Sequence, residues 1–245
     1  MKPHLSRLTL AALAVAGCLL ATGPSRAEKF SDARIRFELN ASAGDGGIQI
    51  NVDATGWNRL EVFDPSGQKI FDVFGSHSVG ATGVTELFFE SAEPSFEDLP
   101  LDQLLIRFPA GTYSFEGVTA DGARRLAGSA TLSHRLPAGP RIVAPSEGST
   151  LSATAPLVID WDPVTQRFPG STLPVTIAGY EVIVEQDKPK PALPRSFDIT
   201  LPASVTRVTV PPQFLRTNTD YKFEILAIEQ GGNQTISEGS FKTAP

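Results

Sequence analysis

The residues best placed to do chemistry fall in a few short stretches. Gly75-Ser76-His77-Ser78-Val79-Gly80 sets serine and histidine between glycines, the composition of a strained turn that exposes a nucleophilic serine. Such a turn needs a strand before it and a helix after it. The residues that follow, Ala81 to Ser91, read as a loop and a strand, so this stretch is expected to be a solvent-exposed hairpin loop. A second stretch carries Glu90, Glu93, Glu97, Asp98 and Asp102. Paired carboxylates can act as acid and base on a glycosidic bond. The same residues around a loop and a short helix are also favourable without any chemistry, because negative charge suits a helix start.

Trp57, in Thr55-Gly56-Trp57-Asn58, lies close to a turn, where its ring either stacks on a sugar or a partner side chain or caps a core. Trp57 with Glu97, Asp98 and Asp102 is therefore the candidate binding set, the one a secreted carbohydrate-binding accessory or hydrolase would use. Calcium would need several oxygen ligands at short spacing, and Asp45-Gly46-Gly47 with Asp53 does not supply a recognised set, so Asp45-Gly46-Gly47 reads as a turn. Zinc has no clustered histidine or cysteine to bind. Gly231-Gly232-Asn233 is followed by no helix and reads as a hairpin rather than a phosphate cradle. No catalytic, cofactor or metal residue is assigned from these stretches.

The elements that must position such residues begin after an export signal. Lys2 and Arg7 precede an apolar run from Leu8 to about Leu20, and Ser25-Arg26-Ala27 is a small-residue cleavage site, so residues 1–27 read as a signal peptide and the mature chain is expected to start near Glu28. Val15-Ala16-Gly17-Cys18 offers a rival site at which a lipoprotein would be cut and acylated on Cys18. The address is accordingly exported, periplasmic or extracellular, with a lipid anchor at the cell envelope as the alternative. Cys18 is the one cysteine, and its removal leaves no disulfide and no thiolate chemistry. The signal takes Lys2, Arg7 and Arg26 from the 21 basic residues and none of the 27 acidic ones, which leaves nine net negative charges. That surface disfavours nucleic acid, and disfavours a membrane unless Cys18 is acylated. Partners are expected to be protein, or glycan under the accessory reading.

Throughout the remaining chain, apolar and polar residues alternate in runs separated by Gly, Pro, Asn and Asp, the period of half-buried strands. Ile35, Phe37 and Leu39 form one run, Ile48, Ile50 and Val52 a second, and Leu60 and Val62 a third, closed by the turn Asp64-Pro65-Ser66-Gly67. Asp121-Gly122 marks a hairpin. Leu101, Leu104 and Leu105 predict one or two helical turns between Pro100 and Pro109. His134 to Pro145 carries three prolines from Pro137 to Pro145 and reads as an extended, semi-rigid linker. The expectation is an all-β chain of two β-sandwich domains, residues 28–139 and 140–245.

In the second unit, Leu157, Ile159 and Trp161 share one strand face, Tyr180, Val182 and Val184 another, and Phe197, Ile199 and Leu201 a third. Val208 and Val210 follow, before Tyr221, Phe223, Ile225 and Ala227. With Trp161, Tyr180 in IAGYEV and the Leu215 to Tyr221 pair, residues from about 140 to 243 resemble a fibronectin type III domain. The resemblance implies a tyrosine corner, in which the Tyr221 ring packs under a crossover and its hydroxyl bonds upstream backbone. A phenylalanine there is expected to strand a buried carbonyl. The first unit resembles an immunoglobulin-like sandwich in its pattern alone. The order of signal, β domain, proline linker and fibronectin-like domain looks like that of exported bacterial proteins. The expected role is non-catalytic: interaction, spacing or scaffolding at the cell envelope, with edge strands as contact surfaces. The sequons Asn40-Ala41-Ser42 and Asn233-Gln234-Thr235 are expected to be idle.

Overall fold

The computed structural model describes residues 27–245, so Cys18 and all but the last residue of the expected signal peptide lie outside the described residues. The first unit runs β1 (Glu28–Lys29), β2 (Asp32–Asn40), β3 (Asp45–Phe63), β4 (Lys69–Phe74), α1 (His77–Thr82), β5 (Val84–Glu90), α2 (Leu101–Arg107), β6 (Gly111–Thr119) and β7 (Arg125–Leu132). The second runs β8 (Ile142–Ala144), β9 (Ser149–Leu151), β10 (Leu157–Trp161), β11 (Ile177–Lys188), β12 (Ser196–Pro202), β13 (Arg207–Val210), β14 (Asp220–Glu229) and β15 (Gln234–Thr243). The fold is sheet-rich and sandwich-like.

The two apolar runs expected at Ile48–Val52 and Leu60–Val62 belong to one strand of 19 residues, β3. Its first part pairs with β2 and β5, and its second part with β4 and β6. One strand thereby serves both layers, and it turns the corner near Gly56-Trp57, where its register with β5 and with β6 shifts. Sheets that pack across such corners share strands through bends of this kind. Trp57 pairs with Val84 on one side and Thr119 on the other, and its side chain fills the bend. Phe37, Leu39, Ile50, Leu60, Val62, Tyr113 and Phe115 are wholly buried around it. α2 begins one residue after Pro100 and adds Leu104 to this core.

Gly46 and Gly47 lie inside β3 and not in a turn, because larger residues have no room there. A Cβ on Gly46 would stand 2.5 Å from Leu39 Cδ2, and one on Gly47 would meet the Ser91 hydroxyl and come within 3.3 Å of Glu93 Cγ. The turn itself comes earlier, where the Gly44 N–H donates to the Asn40 carbonyl at 2.8 Å and Gly44 adopts φ +72°.

In the second unit, β8, β10 and β13 form a three-stranded sheet, and β12, β11, β14 and β15 form the facing layer. Alternation delivers Tyr180, Val182 and Val184 from β11 and Tyr221, Phe223, Ile225 and Ala227 from β14 to the interior. The Trp161 ring meets Tyr180 edge-on at 5.3 Å, and Tyr221 stacks on Phe241 at 5.0 Å. Leu215 closes the end of this core beside the crossover. The Tyr180 hydroxyl accepts the Val164 N–H at 2.9 Å, and the Tyr221 hydroxyl accepts the Arg216 N–H at 2.8 Å. The group held upstream by Tyr221 is thus an amide donor, where the sequence suggests a carbonyl.

Removing the hydroxyl leaves that amide without its acceptor next to a buried ring, a loss on the order of 1 kcal/mol or more. Tyr221→Phe is expected to lower the urea midpoint of unfolding with an unchanged slope, and an unchanged midpoint would show that the bond contributes nothing.

Candidate functional site

Each stretch singled out for chemistry has a definite place. The segment expected as a hairpin loop at Gly75 to Gly80 leads into α1, whose first four residues are His77 to Gly80 and which buries no residue. A strand therefore precedes Ser78 and a helical turn contains it, yet the left-handed backbone belongs to His77, at φ +47°, and not to the serine. His134, the other histidine among the described residues, bonds the Phe108 carbonyl at 2.9 Å through Nε2 and packs on Phe37. Nothing brings it to Ser78.

The acidic run divides. Glu97, Asp98 and Asp102 are exposed around the start of α2, where Ser95 binds the Glu97 and Asp98 amides. Phe96 and Ser95 tie that segment to the start of β3, through the Gly44 carbonyl and a bridge to Asp45, whereas Trp57 lies at the bend of the same strand. Trp57 is 1% exposed. A ring buried to that degree cannot stack on a sugar, so the candidate set of Trp57, Glu97, Asp98 and Asp102 does not form one surface. Glu90 and Glu93, by contrast, turn toward the junction of the two units.

That junction is built by backbone. Gln234, Thr235 and Ile236 of β15 pair in parallel with Glu38, Leu39 and Asn40 of β2. One hydrogen-bonded path consequently runs β1-β7-β6-β3-β2-β15-β14-β11-β12 across both units. Glu229 shapes the preceding turn by accepting the Gly231 N–H at 2.7 Å, with Gly232 at φ +100°. This delivers Asn233, 1% exposed, into the seam. Its Oδ1 accepts the Phe37 N–H at 3.0 Å, and its Nδ2 donates to the Ser133 carbonyl at 2.8 Å, the Ser133 hydroxyl at 3.1 Å and the Arg135 carbonyl at 3.1 Å. The Thr235 hydroxyl donates to the Pro137 carbonyl at 2.7 Å. Burial of Asn233 and Thr235 closes that sequon to any modifying enzyme in the folded chain.

The proline-rich segment lies against both units instead of spacing them. Leu136 belongs to the first core, Ala138 packs on the second, and the Ala138 and Phe168 amides bond Gln166 and Leu136 at 2.9 and 3.0 Å. Phe168, from a loop of the second unit, reaches the first core and lies 6.1 Å from Phe96.

Polar side chains gather on the outer face of this shared sheet. Gln234 Nε2 donates to the Glu38 carboxylate and weakly, at 3.4 Å, to Gln49 Oε1. Gln49 Oε1 also accepts Arg36 Nε at 2.8 Å, while Gln49 Nε2 donates to Glu90 at 2.7 Å. One carboxylate oxygen from each of Glu38, Glu90 and Glu93 lies within 4.8 Å of the others. Burial raises the Glu38 carboxyl above its usual range against the pull of Gln234, and burial followed by the Glu90 and Glu38 charges pushes Glu93 up to about 7. Glu38, Gln49, Asn233 and Gln234 carried no signal in the sequence beyond being polar positions on alternating strands or next to a glycine turn.

The order β8-β10-β13 facing β12-β11-β14-β15, with Tyr221 under the crossover, decides the architecture of the second unit. Its fold is fibronectin type III-like. No protein-family model matches the chain, and no curated protein is similar to it in sequence. Solved structures of fibronectin modules overlap it. The FN1-FN3 domains of chicken CNTN1 match at 12% identity and TM-score 0.34, over 89% of this chain and 65% of that one. A two-domain fibronectin type III segment of chicken tenascin matches at 14% identity and TM-score 0.29, over 87% and 98%. The fibronectin(III)-like modules of Clostridium thermocellum CbhA match at 10% identity and TM-score 0.32, over 86% and 95%. Overlap at these scores transfers neither a role nor a ligand.

Two measurements follow from the seam. Asn233→Asp would set a carboxylate oxygen against the Ser133 and Arg135 carbonyls in a buried site, and it is expected to cost about 3 kcal/mol or more in urea unfolding; a cost below about 1 kcal/mol would remove Asn233 from its clasping role. On the second unit's outer face, burial and then Asp198 raise Glu181 above its reference value of 4.5, with Arg36 opposing and Glu38 reinforcing. A raised carboxyl binds its proton more tightly in the folded state, so that stability is present below 4.5 and is lost as pH rises through the folded value. The melting temperature in chelator-containing buffer is expected to fall on going above pH 4.5, less steeply in Asp198→Asn; an equal slope in the variant would refute the pairing.

Proposed function

We propose that this chain is an exported, non-catalytic interaction or scaffold protein of the bacterial cell envelope, made of a sandwich over residues 28–139 and a fibronectin type III-like unit over residues 140–245. The observation that carries the reading is the parallel pairing of β2 with β15, which joins the two units through one sheet. A hinge at that point would have to break the backbone bonds and expose Asn233 and Thr235, so the chain acts as one fixed body and not as two modules on a flexible tether. Fixed spacing between two surfaces is what a scaffold supplies.

The seam consumes one edge of each unit and leaves others free. β12 ends the shared path, and β5 pairs only with β3 among the described residues. An open edge offers unpaired N–H and C=O groups to a strand from another protein. The partner is thus read as protein, held by strand addition. The glycan reading has lost the aromatic platform it required, since Trp57 is inside the first core.

Photo-cross-linking groups placed in cells at Thr200 of β12 and at Glu86 of β5, both exposed, are expected to yield a discrete protein adduct from one of the two edges. Adducts from neither edge would overturn the strand-addition reading. Mass spectrometry of the recovered chain also reads its N-terminus, at Glu28 for a released protein or at acylated Cys18 for an anchored one.

A further inference from the structure

The loop that joins β11 to β12 and the segment that leads into β14 line a cleft of about 820 Å³ at one end of the second unit. Its charged lining is Lys190, Arg195 and Arg216, and no acidic side chain lines it. None of the three makes an ion pair among the described residues. Asp187 and Asp220 are outside the walls, on either side of Lys188 in sequence and across the sheet, and Asp220 already contacts Lys242 at 3.5 Å. Three cations in one concavity concentrate a positive field there, on a chain whose net charge is −6. One of them is also held in place. Arg195 Nη2 donates to the Phe214 carbonyl at 3.1 Å, and its guanidinium lies 5.6 Å from the centre of the Phe214 ring. Phe214 packs in turn on Phe197 and Tyr221, at 6.2 and 5.9 Å, so the second core fixes this cation. That bond uses one of the guanidinium N–H donors and leaves the rest of the fork for a ligand. Pro189, Pro191 and Pro194 stiffen the remainder of the loop, which reduces the ordering that a ligand must impose.

Guanidinium and ammonium groups around a cleft select oxyanions, and the surroundings decide among them. A phosphate site would offer free backbone amides. Here the Arg216, Asn218 and Thr219 amides are committed to the Tyr221 hydroxyl, the Ala244 carbonyl and the Thr243 hydroxyl, at 2.8, 3.2 and 3.0 Å. An acidic sugar would want a ring face to stack on, and no aromatic side chain lines the cleft. A nucleic acid would carry its charge past the cleft onto an acidic chain, where it is repelled. What the lining adds to its cations is apolar: Ala192 and Leu193, the latter 74% exposed. Carboxylates beside an apolar side chain on one short stretch are peptide chemistry. We propose that Lys190, Arg195 and Arg216 bind an acidic segment of a partner protein, with Leu193 covering an apolar residue next to its carboxylates. The site rests on the interaction reading for the class of partner alone, because no residue of β12 or β5 lines the cleft.

The test is fluorescence anisotropy of a short labelled peptide, glutamates around one leucine, titrated with the purified mature chain. At about 0.02 M salt it is expected to bind with Kd of about 100 μM or tighter, and about tenfold more weakly at about 0.3 M. The matching glutamine peptide should bind about tenfold more weakly or not at all. Arg195→Gln and Arg216→Gln should each weaken the glutamate peptide by about tenfold, the loss of one charge-assisted hydrogen bond. Arg216 is exposed, so its variant is expected to melt as the parent does and keeps the test decisive if losing the Arg195 bond to Phe214 unsettles the fold. Arg125→Gln, exposed on β7, removes the same charge from the other unit and should bind as the parent does. Equal binding of the two peptides would overturn the site, as would an unchanged affinity in both cleft variants. Retention on phosphatidylglycerol vesicles through the same arginines, with the peptide failing to compete, would reassign the cleft to a lipid surface and overturn the peptide. Peptide binding without adducts from β12 and β5 would count against strand addition and leave the cleft standing, and adducts without peptide binding would do the reverse.

Discussion

The parallel pairing of Gln234, Thr235 and Ile236 with Glu38, Leu39 and Asn40 constrains everything else at the centre of the molecule. A strand edge beside buried Phe37 and Leu39 carries amides and carbonyls that must find partners, and in a lone first unit those of β2 would face solvent. β15 satisfies them from the other unit, and the Ala41 amide continues the match by donating to the Ile236 carbonyl at 2.9 Å. The side chains then have their positions dictated. Asn233 must lie at the mouth of the seam, Thr235 must meet Pro137, and Gln234 must lie over Glu38. The proline segment has no freedom to act as a spacer, since its Leu136 and Ala138 are already committed to opposite cores.

Periodicity made the interiors legible. Phe37, Leu39, Trp161, Tyr180 and Tyr221 are large apolar residues in alternating runs, and an alternating run has one physical use in a sandwich. Where the pattern is interrupted, glycine marks bends and close approaches within strands as well as turns between them. Trp57 was expected close to a turn and lies at a bend within one long strand; Gly46-Gly47 looked like a turn and is a strand stripped of Cβ so that Leu39, Ser91 and Glu93 can pass. A short helix at His77 to Thr82 buries nothing, so no apolar spacing announced it. The seam was illegible for a different reason. Parallel pairing between strands nearly 200 positions apart leaves no turn signature, and a buried asparagine after two glycines has the same letters as a solvent-exposed hairpin.

The acidic run shows how composition misleads where topology decides. Glu90, Glu93, Glu97, Asp98 and Asp102 are close in sequence, but Glu90 and Glu93 lie at the end of β5 and in the loop after it, whereas Glu97, Asp98 and Asp102 are exposed around the start of α2. Glu90 and Glu93 therefore join Glu38, which lies more than fifty positions earlier, and part from the three that follow.

Elsewhere the same chain pairs its acids well. On β3 and β4, Glu61 and Asp72 each contact both Arg59 and Lys69 at 2.7 to 3.1 Å, and those partners hold the Asp72 carboxyl down at about 2. That network is solvent-exposed, where pairing contributes little to stability. At the seam, burial raises the Glu38 and Glu93 carboxyls and the Glu90 charge reinforces it, while at Glu38 the Gln234 hydrogen bond and the Arg36 charge oppose the rise. Arg34 and Arg36 alternate with Glu38 along β2, and Arg34 is turned to half-buried Asp32 at 2.6 Å while Arg36 directs its Nε to Gln49. Charges are thus matched where pairing contributes little, whereas at the seam Glu38 and Glu90 accept amide hydrogen bonds from Gln234 and Gln49, and it is the strand pairing and not charge matching that joins the two units.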